Sequence, residues 1–501
     1  MVVTPAAGGR RVRDRRTQLA AIAADLFRRR GYHNVGVGDI AAAAGITGPA
    51  VYRHFASKQA ILGHVVLSGL DSFAAAILAT VDGWNGASDA AAASGGSGAS
   101  AGSGASGDPA GSGGSGASAG SGASAGSGDP AGSGDPAGSG DPAGSGGQAG
   151  SGASGGSAAS GDPAGSGGEL LRAVAASASR LAVERRELGA LWRREGRNLP
   201  AADRAALAVR ARQATRFGVN LVREVRPSLS AADADLLCWA ALSVWGSISD
   251  HHVTLPKTRF EALLTELALA VVNCDAVPAR NGGTPSTTNP RSGGTWSAPI
   301  ARMHQPRREQ LLILAARMFR EHGYHGVTME EIGAAAGISG PSIYRHYASK
   351  ADLLLAMCGR VGERLGAGLD AALGAGHEPR VALRELTTSF VHTVLEHRDL
   401  VAAYLMEGHN LPDRDRAEVR RLQRHYLAQW VGVLVAIDPT LDDKRARIRV
   451  HAAFTVVNDL ARTGRFSARP NLADELVELA VAVLLSPTCR LANMGDRAAR
   501  E

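Results

Sequence analysis

The sequence repeats itself. Sliding it by 292 residues lays residues 17–62 on residues 309–354 without a gap, and 25 of the 46 aligned positions are identical. A repeat this long means one folding unit written twice, so any architecture for the 501 residues must contain two copies of it. The copies read LFRRRGYHNVGVGDIAAAAGITGPAVYRHFASK and MFREHGYHGVTMEEIGAAAGISGPSIYRHYASK. Each divides into a long helix, a short helix, a tight turn and a third helix, which is the grammar of a helix-turn-helix.

Local chemistry supports that division. Leu19, Ile22, Ala23, Leu26 and Phe27 share one helical face, as do Leu311, Leu314, Ala315, Met318 and Phe319. Gly31 and Gly323 end these helices, where a positive φ suits glycine. Thr328 stands three residues before Glu331, a capping box, whereas the first copy has Gly36 and Asp39 and a weaker helix start. Gly45 and Gly337 make the turn. Thr47 and Ser339 occupy the N-cap of the third helix, with Pro49 and Pro341 in its first turn. On that helix Val51 and Ile343 point inward. Ala50/Ser342, Tyr52/Tyr344, Arg53/Arg345 and His54/His346 form the outward face, and Lys58 and Lys350 follow one turn later. Aromatic hydroxyls, guanidinium groups and imidazoles suit the phosphates and base edges of a DNA groove.

These residues closely resemble the tetracycline-repressor family, whose signature is this helix-turn-helix followed by a Tyr-x-His-aromatic-x-x-Lys run, here YRHFASK and YRHYASK. The resemblance covers about 46 residues twice over. It implies that Tyr52, His54, Lys58, Tyr344, His346 and Lys350 hold the phosphate backbone. It implies too that Thr47, Pro49, Ala50 and Arg53, with Ser339, Pro341, Ser342 and Arg345, approach base edges. Thr328 joins the DNA-facing set at the start of the positioning helix. Gly48 and Gly340 depart from the family pattern, which often has a longer polar residue there.

A fainter repeat lies behind the readers: RELGALWRREGRNLPAADR from Arg186 aligns with RDLVAAYLMEGHNLPDRDR from Arg398, now at an offset of 212. The first unit therefore holds about 80 extra residues, and the Gly/Ser/Ala tract 86–168 supplies them. Too poor in large apolar side chains to offset the entropy of ordering, that tract is expected to be disordered. The plan is a basic arm (1–16), reader 1 (17–62), helical body 1 (63–275), a linker (276–306), reader 2 (307–354), helical body 2 (355–488) and a tail (489–501). Five arginines between Arg10 and Arg16 read equally as a minor-groove arm and as a solvated tail.

The expected fold class is all-α: two such units, each a three-helix reader plus a ligand-binding and dimerisation body. Aromatic residues at 4% starve any sheet. The resemblance implies that the last two helices of each body, near 231–250 with 259–273 and 442–462 with 472–485, build a four-helix interface. Effector-pocket candidates are Trp192, Trp239 and Trp245 in body 1 and Tyr404, Trp430 and Phe454 in body 2, core packing being the competing reading. Adjacent His251 and His252 lack a third ligand, so no metal is expected. No GxxxxGK[ST], GxSxG or HExxH occurs, which leaves no catalytic residue and no cofactor. Four scattered cysteines without a CxxC pair, and no apolar leader, point to a cytoplasmic chain without a membrane segment. The net charge of +7 suits double-stranded DNA as partner.

The expected function is a sequence-specific, ligand-responsive repressor. One chain supplies both readers as a covalent pseudo-dimer on an inverted-repeat operator, the linker of some 30 residues having a coil span of roughly 30 Å. The alternatives are a homodimer of tandem chains with four readers, or a ligand-binding module in which one reader has decayed. The EGRNLP and EGHNLP segments resemble those of regulators of lipid or acyl-thioester metabolism, which makes acyl-CoA or another lipophilic ligand the expected effector.

Overall fold

Both halves fold into the same run of helices. A computed structural model describes residues 7–95, 163–275 and 307–487, and among these residues there is no strand. The first half comprises α1 (Ala7–Arg30), α2 (Val37–Ala43), α3 (Gly48–Tyr52), α4 (Lys58–Gly95), α5 (Pro163–Glu184), α6 (Glu187–Ala190), α7 (Ala201–Val225), α8 (Ala231–Ser247) and α9 (Lys257–Val272). The second comprises α10 (Arg307–His322), α11 (Met329–Ala335), α12 (Gly340–Ile343), α13 (Lys350–Gly374), α14 (Pro379–Glu396), α15 (Arg398–Glu407), α16 (Asp413–Ile437), α17 (Asp443–Arg462) and α18 (Leu472–Leu484). α6 runs through a π-helical turn (Leu191–Glu195) into a 3-10 turn (Gly196–Asn198), and its counterpart α15 into the 3-10 turn Gly408–Asn410.

Two sequence boundaries move. From Ala7 onward the basic arm is the opening of α1; Arg15 donates to Gln18 at 2.8 Å and Arg16 lies 4.8 Å over the Phe55 ring. The tract 86–168 begins and ends in helix, since α4 continues to Gly95 and α5 starts at Pro163, which the alanine run 90–93 favours on one side. The expectations for residues 96–162, the linker 276–306 and the tail 489–501 lie outside the described residues.

Helix α1 buries Leu19, Ala20, Ala23, Ala24 and Phe27, and α10 buries Leu311, Leu312, Ala315, Ala316 and Phe319. The buried face is thus rotated slightly from the expected one, with Ile22, Leu26, Leu314 and Met318 at its edge. Reader 1 closes around its own apolar cluster with Ile40, Val51, Ile61 and Leu62, joined by Leu191 and Leu199 of its body. Reader 2 belongs instead to one continuous core that runs through both bodies. Lys58–Asn85 of α4 is long and apolar enough to cross a membrane by length and composition alone. Ile61, Leu62, Val65 and Val66 of that stretch are buried in the core of reader 1.

The bodies meet through their last two helices. α8 packs on α17 and α9 on α18, and Leu237, Val244, Leu264 and Leu267 of one half share a single buried core with Val450, Ala453, Val457, Leu476 and Leu479 of the other. Each fully buried Val or Leu contributes about 1.5–3 kcal/mol. Polar pairs set the register: Arg469 holds Asp233 at 2.5 Å and Glu475 at 2.7 Å, Arg465 meets Asp235 at 3.1 Å and stacks 4.7 Å over Trp239, and Thr455 donates to Asp250 at 3.2 Å.

Candidate nucleic-acid interface

The two readers are built alike down to their backbone angles. Gly31 and Gly323 take φ of 79° and 77°, Gly45 and Gly337 of 64° and 68°, so each chain reversal sits in the left-handed region. In reader 2 the capping box is complete: Glu331 N donates to Thr328 Oγ1 at 3.2 Å, and Thr328 N to Glu331 Oε2 at 2.7 Å. Reader 1 keeps only the return bond, Gly36 N to Asp39 Oδ2 at 2.7 Å. Thr47 and Ser339 stand at the N-caps of α3 and α12 as expected, but neither hydroxyl caps a backbone N–H, and Ser339 Oγ lies 2.7 Å from Ser342 Oγ.

Burial sorts the candidate contacts. Val51 and Ile343 are buried, while Thr47, Pro49, Tyr52, Arg53, Thr328, Ser339, Pro341, Tyr344 and Arg345 are exposed. Ala50, His54, Ser342 and His346 are half-buried, and His54 Nδ1 is buried without a protein partner. Lys58 and Lys350, expected at the phosphates, are each tied to two backbone carbonyls. Lys58 Nζ donates to the carbonyls of Tyr32 and Val35, both at 2.9 Å, and sits 4.2 Å over the Tyr32 ring. Lys350 does the same with Tyr324 and Val327 at 2.7 Å. Burial draws both ammonium groups below the usual lysine range, with nearby carboxylates working the other way. They brace the turn after the first helix.

The reading faces differ in charge beside the recognition tyrosine. Tyr344 Oη donates to Glu330 Oε1 at 2.9 Å, and this bond raises the phenol's pKa. Glu330 aligns with Gly38, so reader 2 carries a carboxylate beside its recognition tyrosine where reader 1 has none.

Between the readers lies a polar hub that the sequence pointed to only through the paired EGRNLP and EGHNLP segments. Glu195 Oε1 accepts Tyr32 N at 3.1 Å, Asn198 donates to Glu195 at 2.7 Å, and His33 meets Asn198 at 3.0 Å. The second half repeats the arrangement with Asn410 on Glu407 at 2.9 Å and His325 on Asn410 at 2.9 Å. The two sets join crosswise. Arg197 of body 1 pairs with buried Glu407 and donates to Phe319 O of reader 2 at 3.3 Å, while the His33 and His325 rings lie 4.9 Å apart. A Cβ on Gly31 would come within 2.5 Å of His409 Nε2, and one on Gly323 within 3.3 Å of the Arg197 guanidinium. Each reader's first helix thus ends against a residue of the other half's body.

Trp192, Trp239 and Trp245 all line a cavity of about 440 Å³ in body 1. Its wall includes Val66, Leu70 and Phe73 of α4 together with Arg320, Met406 and Arg462 of the second half. Tyr404, Trp430 and Phe454 are placed differently. Trp430 is fully buried, Phe454 stacks on Phe390 at 4.5 Å and meets Trp430 edge-on at 5.0 Å, and Tyr404 is packed against the same core.

A sequence profile described as bacterial regulatory proteins, tetR family, matches residues 19–65 and again 311–357. One described as a tetracyclin repressor-like C-terminal domain matches residues 376–484. The chain is 31% identical over 172 residues to the HTH-type transcriptional activator FasR of Mycolicibacterium smegmatis, covering 34% of this chain and 78% of that protein. It is 31% identical over 164 residues to the HTH-type transcriptional repressor KstR2 of Rhodococcus jostii, covering 31% of this chain and 76% of that one. The solved ketosteroid transcriptional regulator KstR2 of Mycobacterium tuberculosis aligns at 26% identity and a TM-score of 0.33, covering 36% of this chain and 94% of that one.

Proposed function

The chain belongs to the tetR family of DNA-binding transcriptional regulators, with the family's reader present twice, and from that premise we propose that it regulates as a single-chain pseudo-dimer. Its two readers bind successive half-sites of one inverted-repeat operator, and a small lipophilic effector held in the helical bodies lowers that affinity. The observation carrying this reading is the packing of α8 on α17 and α9 on α18 within one polypeptide. That packing uses the final helices of both bodies, which the family resemblance assigns to pairing. Tyr52, His54, Tyr344 and His346 hold the phosphates, while Thr47, Pro49, Ala50 and Arg53 with Ser339, Pro341, Ser342 and Arg345 meet base edges.

Effector coupling follows from linkage: a ligand favouring one spacing of the readers weakens DNA binding by its preference between the two states. The test is selection from random duplexes with the full chain, followed by light scattering of the complex. One chain on one inverted repeat is the expected result. Two chains per selected site would replace the reading by a four-reader dimer, and unrelated half-sites would remove the inverted repeat. Replacing Tyr52 and His54, or separately Tyr344 and His346, by Ala should cost at least tenfold in affinity; an unchanged value for either pair would mark that reader as decayed.

A further inference from the structure

The two bodies are copies in helix order but differ at four aligned interior positions. Extending the 212-residue offset through α5, α7 and α8 pairs Ala178 with Phe390, Ala214 with Tyr426, Gly218 with Trp430 and Leu242 with Phe454. At all four positions the first body has the smaller residue and the second an aromatic ring. In body 2 the four rings form one cluster: Phe390 lies 4.5 Å from Phe454 and 5.9 Å from Trp430, and Tyr426 lies 6.0 Å from Phe454. In body 1, Ala214 and Leu242 line the cavity of about 440 Å³, and with Gly218 they line a second void of about 70 Å³ beside it. Close packing is the default of a protein interior, and a cavity of this size falls in the range of ligand sites.

We infer that the chain has one effector site, in body 1, and that body 2 is a filled scaffold. The site takes an apolar molecule bearing an anionic group. Its aromatic and aliphatic lining sets the first requirement. The second comes from its charged lining, which is Arg185, Arg193, Arg320 and Arg462 against Asp459 alone. Each guanidinium already holds a carboxylate: Arg185 on Glu187 at 2.7 Å, Arg193 on Asp250 at 2.6 Å, Arg320 on Asp399 at 2.6 Å and Arg462 on Asp459 at 2.5 Å. Arg193 also donates to Gly246 O and Ser249 Oγ, Arg320 to Glu321 and Arg462 to Asn458 O, and with five donors apiece the four guanidinium groups still have N–H groups beyond these bonds.

The same wall explains how one site addresses two readers. Val66, Gly69, Leu70 and Phe73 belong to α4, which carries reader 1, and Arg320 lies in the last turn of α10, the first helix of reader 2. A molecule in this cavity touches the supports of both. This inference rests on the reading of the chain as an effector-responsive regulator, but its test needs no DNA.

The full chain is titrated with 8-anilinonaphthalene-1-sulfonate, an apolar ring system with an anionic group, and with uncharged N-phenyl-1-naphthylamine. The expected result is one sulfonate site per chain, at least tenfold tighter than the amine, and lost in A214Y/L242F, which writes the second body's rings into the first. Circular dichroism and the thermal midpoint verify that this variant folds. If it does not, Ala214→Tyr alone is used, with at least tenfold weaker binding expected. Two equivalent sites per chain, or undiminished binding in a folded plugged variant, would overturn the single site. An amine as tight as the sulfonate would overturn the anionic requirement. One-site binding that leaves operator affinity unchanged would sink the regulatory reading and leave this inference standing.

Discussion

Arg197, in the 3-10 turn of the first body, pairs with the carboxylate of Glu407 in the second, 210 positions along the chain, and Glu407 is almost wholly buried. A buried carboxylate stripped of its cation costs about 3–5 kcal/mol, whereas replacing both partners by apolar residues is often neutral. Arg197→Ala should therefore destabilise strongly, and R197M/E407M should recover most of the loss. Urea unfolding of the three proteins checks this; a double variant no more stable than the single would place the energy elsewhere than in the pair.

The two lysines give a second test. If Lys58 acted only on a phosphate, Lys58→Met would weaken DNA binding and leave stability alone. Because its ammonium instead satisfies the Tyr32 and Val35 carbonyls, we expect a loss of about 2 kcal/mol in the first reader, with a matching effect for Lys350→Met. Hydrogen exchange at the turn after α1 or α10 locates the loss. Unchanged protection there would return the lysines to the phosphate role.

Much of this was legible in the sequence, and what was not has a physical pattern. The readers were readable because short-range chemistry specifies them: Gly31 and Gly45 need positive φ, Pro49 must sit in a first turn, and Val51 alone of its neighbours faces inward. The fate of Lys58 was not, because its acceptors lie 26 and 23 residues earlier, across a turn whose depth the sequence does not state. Arg197 and Glu407 pair only because two bodies meet, a relation that no local pattern encodes. Trp430 and Trp239 look alike as letters; whether a ring lines a hole or fills one depends on the opposite wall, where Gly218 or Ala214 decides. The aligned halves did contain that contrast, as small residues facing aromatic ones at one offset.

Acid should weaken the fold before its carboxylates titrate. Burial pushes His451 and His409 down to about 4, Asp250 working the other way at His451, and it lowers His251 well below the usual range, with His451 adding to that. The His251 and His451 rings face each other at 4.7 Å across the join of the bodies, with Asp250, Arg186 and Arg447 as their charged neighbours. A folded pKa below the unfolded 6.5 means that the fold favours neutral rings. Their contribution is intact above about pH 6.5 and is lost as pH falls toward 4, about 2 kcal/mol for each of His409 and His451 at pH 5. Glu195, raised by burial, runs the opposite way and offsets a part. The urea midpoint should fall clearly between pH 7.5 and 5, and less in His451→Gln; equal midpoints at the two pH values would contradict the buried neutral rings.

The unequal charge of the readers predicts unequal grip. Glu330 accepts the Tyr344 hydroxyl and puts a carboxylate at the edge of a surface that must approach phosphates, whereas Gly38 leaves Tyr52 unencumbered. Glu330→Gly should tighten operator binding by about 1 kcal/mol near 0.1 M salt, roughly fivefold, and the gain should shrink as salt rises. The reciprocal change fits sterically, since a Cβ on Gly38 meets nothing within 4 Å. Gly38→Glu should weaken the first reader by a similar factor. The two half-sites then contribute unequally even when their sequences match, because a phosphate contact carries no base information. Fluorescence anisotropy on duplexes with one or other half-site scrambled measures the difference. A wild-type chain equally sensitive to both scrambles, and an E330G variant no tighter than wild type, would together show that this carboxylate lies outside the DNA's reach.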